Sequence, residues 1–268
     1  MSPKTVTSAD ATTIAFDQFG AGAPIIMAAG AFNDRSTTAP LARALAQQFT
    51  VVNYDRRGRG DSADASEYAV EREIDDLDAL IAEVGGSSAV FGYSSGATLA
   101  LRAAAAGLAI TRLALYEPPF VVDDSRPRPP ADLNVELSQL ISTDRRGDAV
   151  ELFQREVIGM PVEVVAQLRN APFRPGMEAI AHTLVYDATI VGDLTLPTVL
   201  IASITTPTLV IDGDQSPPMM REAARAVADG LPNGRRHSLV GQDHTINPAA
   251  TAPIVVEFFT LDLTVLDG

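Results

Sequence analysis

The passage from Ala89 to Ala106 constrains this chain more than any other. A short apolar run, Ala89-Val90-Phe91, reads as a buried strand, and Ala97 to Ala106 is helical by propensity. Between them stands Gly92-Tyr93-Ser94-Ser95-Gly96, a G-x-S-x-G. A chain that turns from strand to helix within so few residues holds its central residue in a strained conformation. The flanking glycines let the two backbones approach, and the strain pushes the Ser94 hydroxyl into the open at the C-terminal edge of a sheet. The bland alternative is a Gly/Ser-rich turn without chemistry. Its place between a strand and a helix points instead to a nucleophile.

The same alternation runs along most of the chain. Thr5–Thr7 and Thr12–Asp17 read as a hairpin, followed by strands at Pro24–Ala29, Thr50–Tyr54, Arg112–Tyr116, Pro207–Asp212 and Arg235–Val240. Helices are expected over Ala39–Phe49, Met219–Leu231 and Ile254–Leu261. Val70, Ile74, Leu77, Ile81 and Val84 form one apolar helical face, closed by Gly85-Gly86. Strand and helix alternating at this spacing mean a parallel sheet covered on both faces. From about Phe120 to Ser203 the pattern changes. Leu133, Leu137, Leu140 and Ile141 share a helical face, as do Val150, Phe153 and Val157, and again Met177, Ile180, Ala181 and Leu184. Pro161 sits well as a first helical residue. No strand is convincing there, so this stretch reads as a helical insertion with Arg126-Pro127-Arg128-Pro129-Pro130 as its linker.

A chain of 268 residues suits one large α/β domain with such an insertion. Its net charge of −14 repels nucleic acid and anionic membrane, so neither is an expected partner. The absence of cysteine excludes a disulfide framework, a thiolate metal site and a cysteine nucleophile. The N-terminal residues carry no apolar signal core, and no apolar run reaches membrane-spanning length. A cytoplasmic monomer or homodimer acting on a small molecule is the expectation, with no metal and no organic cofactor.

With the G-x-S-x-G elbow and this strand order, nearly the whole chain resembles the α/β-hydrolase family, in its serine branch. The resemblance implies a mostly parallel, doubly wound sheet of about eight strands with a helical cap inserted after the sixth. The core would comprise 1–119 and 204–268, and the cap 120–203. Asp55-Arg56-Arg57-Gly58-Arg59-Gly60-Asp61-Ser62 is similar to the family's D-x-R-G-x-G-x-S turn. No Walker pattern accompanies its three arginines, which read as a solvated, structural loop. Where the family usually has His-Gly-x after the first parallel strand, this chain has Ala29-Gly30-Ala31. Ala31 would supply one backbone N–H of an oxyanion hole, with Phe32 as the alternative, and Ser95 the other.

A serine hydroxyl needs a base. There are three histidines. His244 follows the last strand, where the family's catalytic histidine belongs. His237 reads as a surface residue, and His182 as a solvated residue of the cap. The acid is less direct. Most family members carry it as G-x-x-D after the strand that here ends at Asp212, but Ser216 stands in its place. Asp214 is two residues early. Glu117 ends the strand after the nucleophile helix, where some relatives, haloalkane dehalogenases among them, carry their acid. Glu117 is favoured over Asp214, and Pro118-Pro119 are expected to hold its backbone extended. The resemblance then implies Ser94, His244 and Glu117 cleaving a carboxylester, lactone or thioester. Phe153, Met160, Phe173, Met177 and Tyr186 promise a mainly apolar pocket. A non-hydrolytic binding or receptor role, or a biosynthetic cyclase, is the alternative on the same fold.

Overall fold

The computed structural model describes residues 3–65, 67–123 and 126–261. The final residues of the expected second core segment, 262–268, lie outside the described residues. Eight strands form one sheet in the order β1-β2-β4-β3-β5-β6-β7-β8. They are β1 (Lys4–Thr7), β2 (Thr13–Phe19), β3 (Pro24–Ala28), β4 (Thr50–Tyr54), β5 (Ser88–Tyr93), β6 (Ile110–Tyr116), β7 (Thr208–Gly213) and β8 (Gly234–Leu239). β1 pairs with β2, and β2 with β4, antiparallel; every later pairing is parallel.

The central strands are apolar at successive residues because both faces of the sheet are covered. Ile25 and Met27 of β3 and Phe91 of β5 point to one side, with Leu41, Ala42 and Leu45 of α1 (Arg35–Leu45) and Val255 and Phe258 of α11 (Pro248–Thr260). Ile26, Ala28 and Val90 point to the other. There they meet α2 (Val70–Glu83), α3 (Ser95–Ala105) and α10 (Pro218–Gly230).

Between β6 and β7 the described residues form α4 (Leu133–Ser142), α5 (Arg146–Phe153), α6 (Val162–Leu168), α7 (Arg174–Ala179), α8 (Leu184–Val191) and α9 (Thr198–Ser203). α5 runs on as a π-helical turn, Gln154–Ile158, closed by Gly159 at φ 80°. α8 packs on α3, and α9 on α3 and α10, so the insertion is seated on the face of the sheet that α3 covers.

Several elements depart from the sequence reading. α1 starts four residues before Ala39, because Asp34 caps it by accepting from the Ser36 amide. α11 starts at Pro248 because Asn247 accepts from the Ala249 amide and proline suits a first helical turn. Pro161 precedes α6 as its N-cap. The face Met177–Leu184 is not one helix: α7 stops, a 3₁₀ turn covers Ala181–Thr183, and α8 begins anew. Among the described residues, no helix is long and apolar enough to cross a membrane.

Candidate active site

Ser94 sits between β5 and α3 with φ 55° and ψ −121°, a conformation foreign to ordinary L-residues. Its amide donates to Tyr116 O at 2.9 Å, which ties the elbow to the neighbouring strand. Glycines are required around it. A Cβ on Gly92 would lie 2.6 Å from Ala97 Cα, and one on Gly96 would run into the carbonyls of Ala28 and Ala29. Gly30 abuts Ser94 itself, since a Cβ there would stand 2.9 Å from Ser94 Cβ. The loop carrying Ala31 therefore lies directly beside Ser94. Phe32 in that loop has φ 61°.

Glu117 is fully buried at the end of β6. Its Oε1 accepts from the Gly213 amide at 2.8 Å, and its Oε2 lies 2.6 Å from His244 Nδ1. The expected extended backbone is not found: Glu117 has φ 48°. The tight turn is stabilised by what it achieves, a hydrogen bond from the Glu117 N–H to Ile211 O at 2.9 Å and a carboxylate directed at β7 and the His244 loop. Ser94, Glu117 and Phe32 are thus three non-glycine residues at positive φ in one region, and such strain concentrates at functional sites. Asp214 is elsewhere engaged. It accepts from the Gly241 amide at 2.7 Å and from Gln215 at 3.0 Å, holding a turn between loops. Ser216 is buried.

Two tyrosines hold the His244 loop. Tyr93 donates its phenol to His244 O at 3.0 Å, and Tyr116 donates to Asp243 O at 2.7 Å. Each precedes a candidate catalytic residue, Ser94 or Glu117. Burial, and after it the Glu117 charge, push both phenols above their ordinary pKa, so they remain donors. The ring of Tyr93 also lies 5.0 Å from that of His244.

The arginine loop is not solvated. Arg56, Arg57 and Arg59 are each at most 1% exposed. Arg57 forms a fork with Asp76, at 2.8 and 2.7 Å, and reaches Asp10 at 2.9 Å. Arg56 forms a second fork with Glu73, at 2.6 and 2.7 Å. Asp187, fully buried on α8, accepts from Arg56 Nη1 at 2.8 Å, Arg59 Nη2 at 2.6 Å and Ser95 Oγ at 2.7 Å. Burial opposes ionisation of Asp187, but Arg59 and Arg56 outweigh it and hold the carboxyl below its ordinary pKa. The sequence reading missed this cluster. Its one signal was Glu73 and Asp76, two acids set among the apolar positions Val70, Leu77 and Leu80 of α2.

Other expected residues are scattered. His182 is half-buried rather than freely solvated: its Nε2 bonds Gly58 O at 2.9 Å, at the seam between insertion and core. His237 is exposed, as a surface residue should be. Phe153 meets Phe32 edge-on at 5.4 Å, and Tyr186 stacks on Tyr68 at 4.0 Å. Met177 packs at the core margin, and Met160 is half-buried. Phe173 precedes α7 as its N-cap and is 54% exposed, where the sequence promised a pocket-lining ring.

Comparison with known proteins agrees with this architecture. A crystal structure of an alpha/beta hydrolase from Sphaerobacter thermophilus is 54% identical, with a TM-score of 0.91 over 96% of this chain and 100% of that one. The enol-lactonase of Burkholderia xenovorans shares the fold at 22% identity and a TM-score of 0.71, covering 96% of this chain and 100% of its own. A thermophilic esterase from Thermogutta terrifontis does so at 22% and 0.69, covering 96% and 95%. The uncharacterized hydrolase YraK of Bacillus subtilis is 40% identical over 86 residues, which spans 31% of this chain and 32% of YraK. The model of the alpha/beta hydrolase family matches residues 20–255, and the chain belongs to that family.

Proposed function

We propose that this protein is a serine hydrolase that cleaves a carboxylester, lactone or thioester of a small, mainly apolar substrate through an acyl-enzyme. The observation that carries the reading is the 2.6 Å contact between His244 Nδ1 and the buried Glu117 carboxylate, in a loop tied to the residue before Ser94. In that reading Glu117 keeps the proton on Nδ1, leaving Nε2 free to take the proton of Ser94 as it attacks the carbonyl carbon. His244 then returns the proton to the leaving group. Water, deprotonated by the same nitrogen, releases the acyl group. The N–H groups of Ala31 and Ser95 receive the oxyanion, and the N-terminus of α3 adds its dipole. Arg59 donates to Gly30 O and so fixes the peptide that carries the Ala31 N–H, while Asn33 donates to Ala31 O and fixes the peptide that carries the Phe32 N–H. The esterase and enol-lactonase named among the structural neighbours agree with this substrate class.

A panel of chromogenic esters, lactones and thioesters of graded acyl length tests the proposal, together with a fluorophosphonate probe. Wild type should turn over at least one ester and be labelled on Ser94. Ser94→Ala should lose both while keeping its melting temperature. Ligand-dependent stabilisation with no turnover and no labelling would favour the binding role.

A further inference from the structure

Asp187 belongs to the insertion, yet its carboxylate reaches both sides of the proposed oxyanion hole. On one side it accepts from the hydroxyl of Ser95, the first residue of α3 and the one whose amide follows the nucleophile. On the other it holds Arg59, whose Nη1 donates to Gly30 O at 2.6 Å and to Asn33 O at 3.1 Å. Arg56, also on Asp187, lies 3.3 Å from Ala29 O.

Gly30 O and the Ala31 N–H are the two ends of one peptide group. A trans peptide is planar, so its C=O and N–H point in opposite directions. Fixing the oxygen on a buried guanidinium therefore aims the N–H away from Arg59. A charged donor on the carbonyl also polarises the amide and makes the N–H a stronger donor, an effect undiminished by solvent where every partner is buried. We propose that Asp187 is a positioning residue, through which the insertion aligns both backbone donors of the oxyanion hole, by Arg59 toward Ala31 and by Ser95 directly. The inference rests on the serine-hydrolase reading above.

The alternative is a merely structural ion pair, and the same loop supplies its control. Arg57 and Asp76 form an equally buried fork that touches neither Gly30 nor Ser95. Asp187→Asn, Ser95→Ala and Asp76→Asn are compared for kcat and KM on a p-nitrophenyl ester. Inhibition by a trifluoromethyl ketone, which adds to the serine as a tetrahedral oxyanion, and the rate of Ser94 labelling by a fluorophosphonate complete the set. Asp187→Asn should lower kcat about 10²-fold and Ser95→Ala about tenfold, with KM within about threefold. Ketone affinity and labelling rate should fall in step with kcat. Asp76→Asn should melt at a lower temperature but keep kcat within about threefold. If Asp187→Asn does not fold, Ser95→Ala decides, because it deletes one end of the link and leaves the charges in place. A folded Asp187→Asn with unchanged kcat and ketone affinity, or Asp76→Asn equally slowed, overturns the inference while the hydrolase reading stands. A wild-type enzyme inert to esters and unlabelled at Ser94 overturns both.

Discussion

Glu117 is a carboxylate turned beneath its own strand end, and its two oxygens divide the work. One is fixed by the Gly213 amide, and the other faces His244. Glu117→Gln preserves this shape but offers the histidine an amide that favours the wrong tautomer. A loss of at least about 10²-fold in kcat is expected, against about 10⁴ for the analogous change in a serine protease. Asp214→Asn removes a charged acceptor from the Gly241 amide, with which Asp214 rather than the imidazole is engaged, and should leave kcat within about threefold. Steady-state kinetics on both variants, each shown folded by circular dichroism, checks the assignment. Residues at this scale were legible where local chemistry confines them. Ser94 stands out because only a strand–turn–helix with glycines on both sides tolerates its φ, and His244 because it follows the last strand. Arg56, Arg57 and Arg59 were misread because a run of charge in a loop is ordinarily solvated. Their partners lie in other elements, at Asp10, Glu73, Asp76 and Asp187, and only tertiary structure brings these together.

Local turns close the loop after β8, with the Gln242 amide on Leu239 O and the Thr245 amide on Asp243 Oδ1, but His244 must also be held against the ends of the sheet. Tyr93 and Tyr116 do this from the ends of β5 and β6, each through one phenol on one loop carbonyl. Tyr116→Phe deletes the bond to Asp243 O and keeps the ring packed near Tyr93, with centroids 6.0 Å apart. The expected cost in stability is about 1 kcal/mol, measured by urea unfolding. The expected cost in kcat is larger, about tenfold, since a small displacement of the proposed general base is amplified in rate. Unchanged kcat would show that the loop is held without this tie. At the scale of elements, the central strands were readable because burial on both faces leaves continuous apolar runs. The insertion was readable as helical but not in its breaks. Its 3₁₀ turn at Ala181–Thr183 interrupts a face that the spacing of Met177, Ile180, Ala181 and Leu184 presents as continuous, and the π turn at Gln154–Ile158 follows a helix without any break in apolar spacing.

Across the whole molecule, net charge hides a core of matched ions. Arg57 holds the Asp10 carboxyl well below the usual carboxylate range, joining the first hairpin to the loop after β4 and to α2. A depressed carboxylate stabilises the fold above its unfolded pKa of about 3.9, and this contribution is lost as pH falls through the folded value. Asp10→Asn should therefore be less stable than wild type at pH 7, with a gap that narrows by about pH 3; denaturant titration at the two pH values tests this. The doubly wound order of the sheet followed from strand and helix alternation. How the insertion is seated on the core was not readable, since the seam is made by Asp187, His182 and Tyr186 against residues more than a hundred positions earlier.

That seam bears on how interchangeable the parts of such an enzyme are. Grafting helices from one member onto the sheet of another is an obvious way to change substrate range. In this chain the graft would remove an anion from beneath two arginines, leaving Glu73 alone to balance both. A foreign insertion would have to bring a carboxylate to the same spot on its own α8, or the recipient would have to surrender Arg59. The insertion and the proposed oxyanion hole beneath it are inherited together here, joined by one side chain.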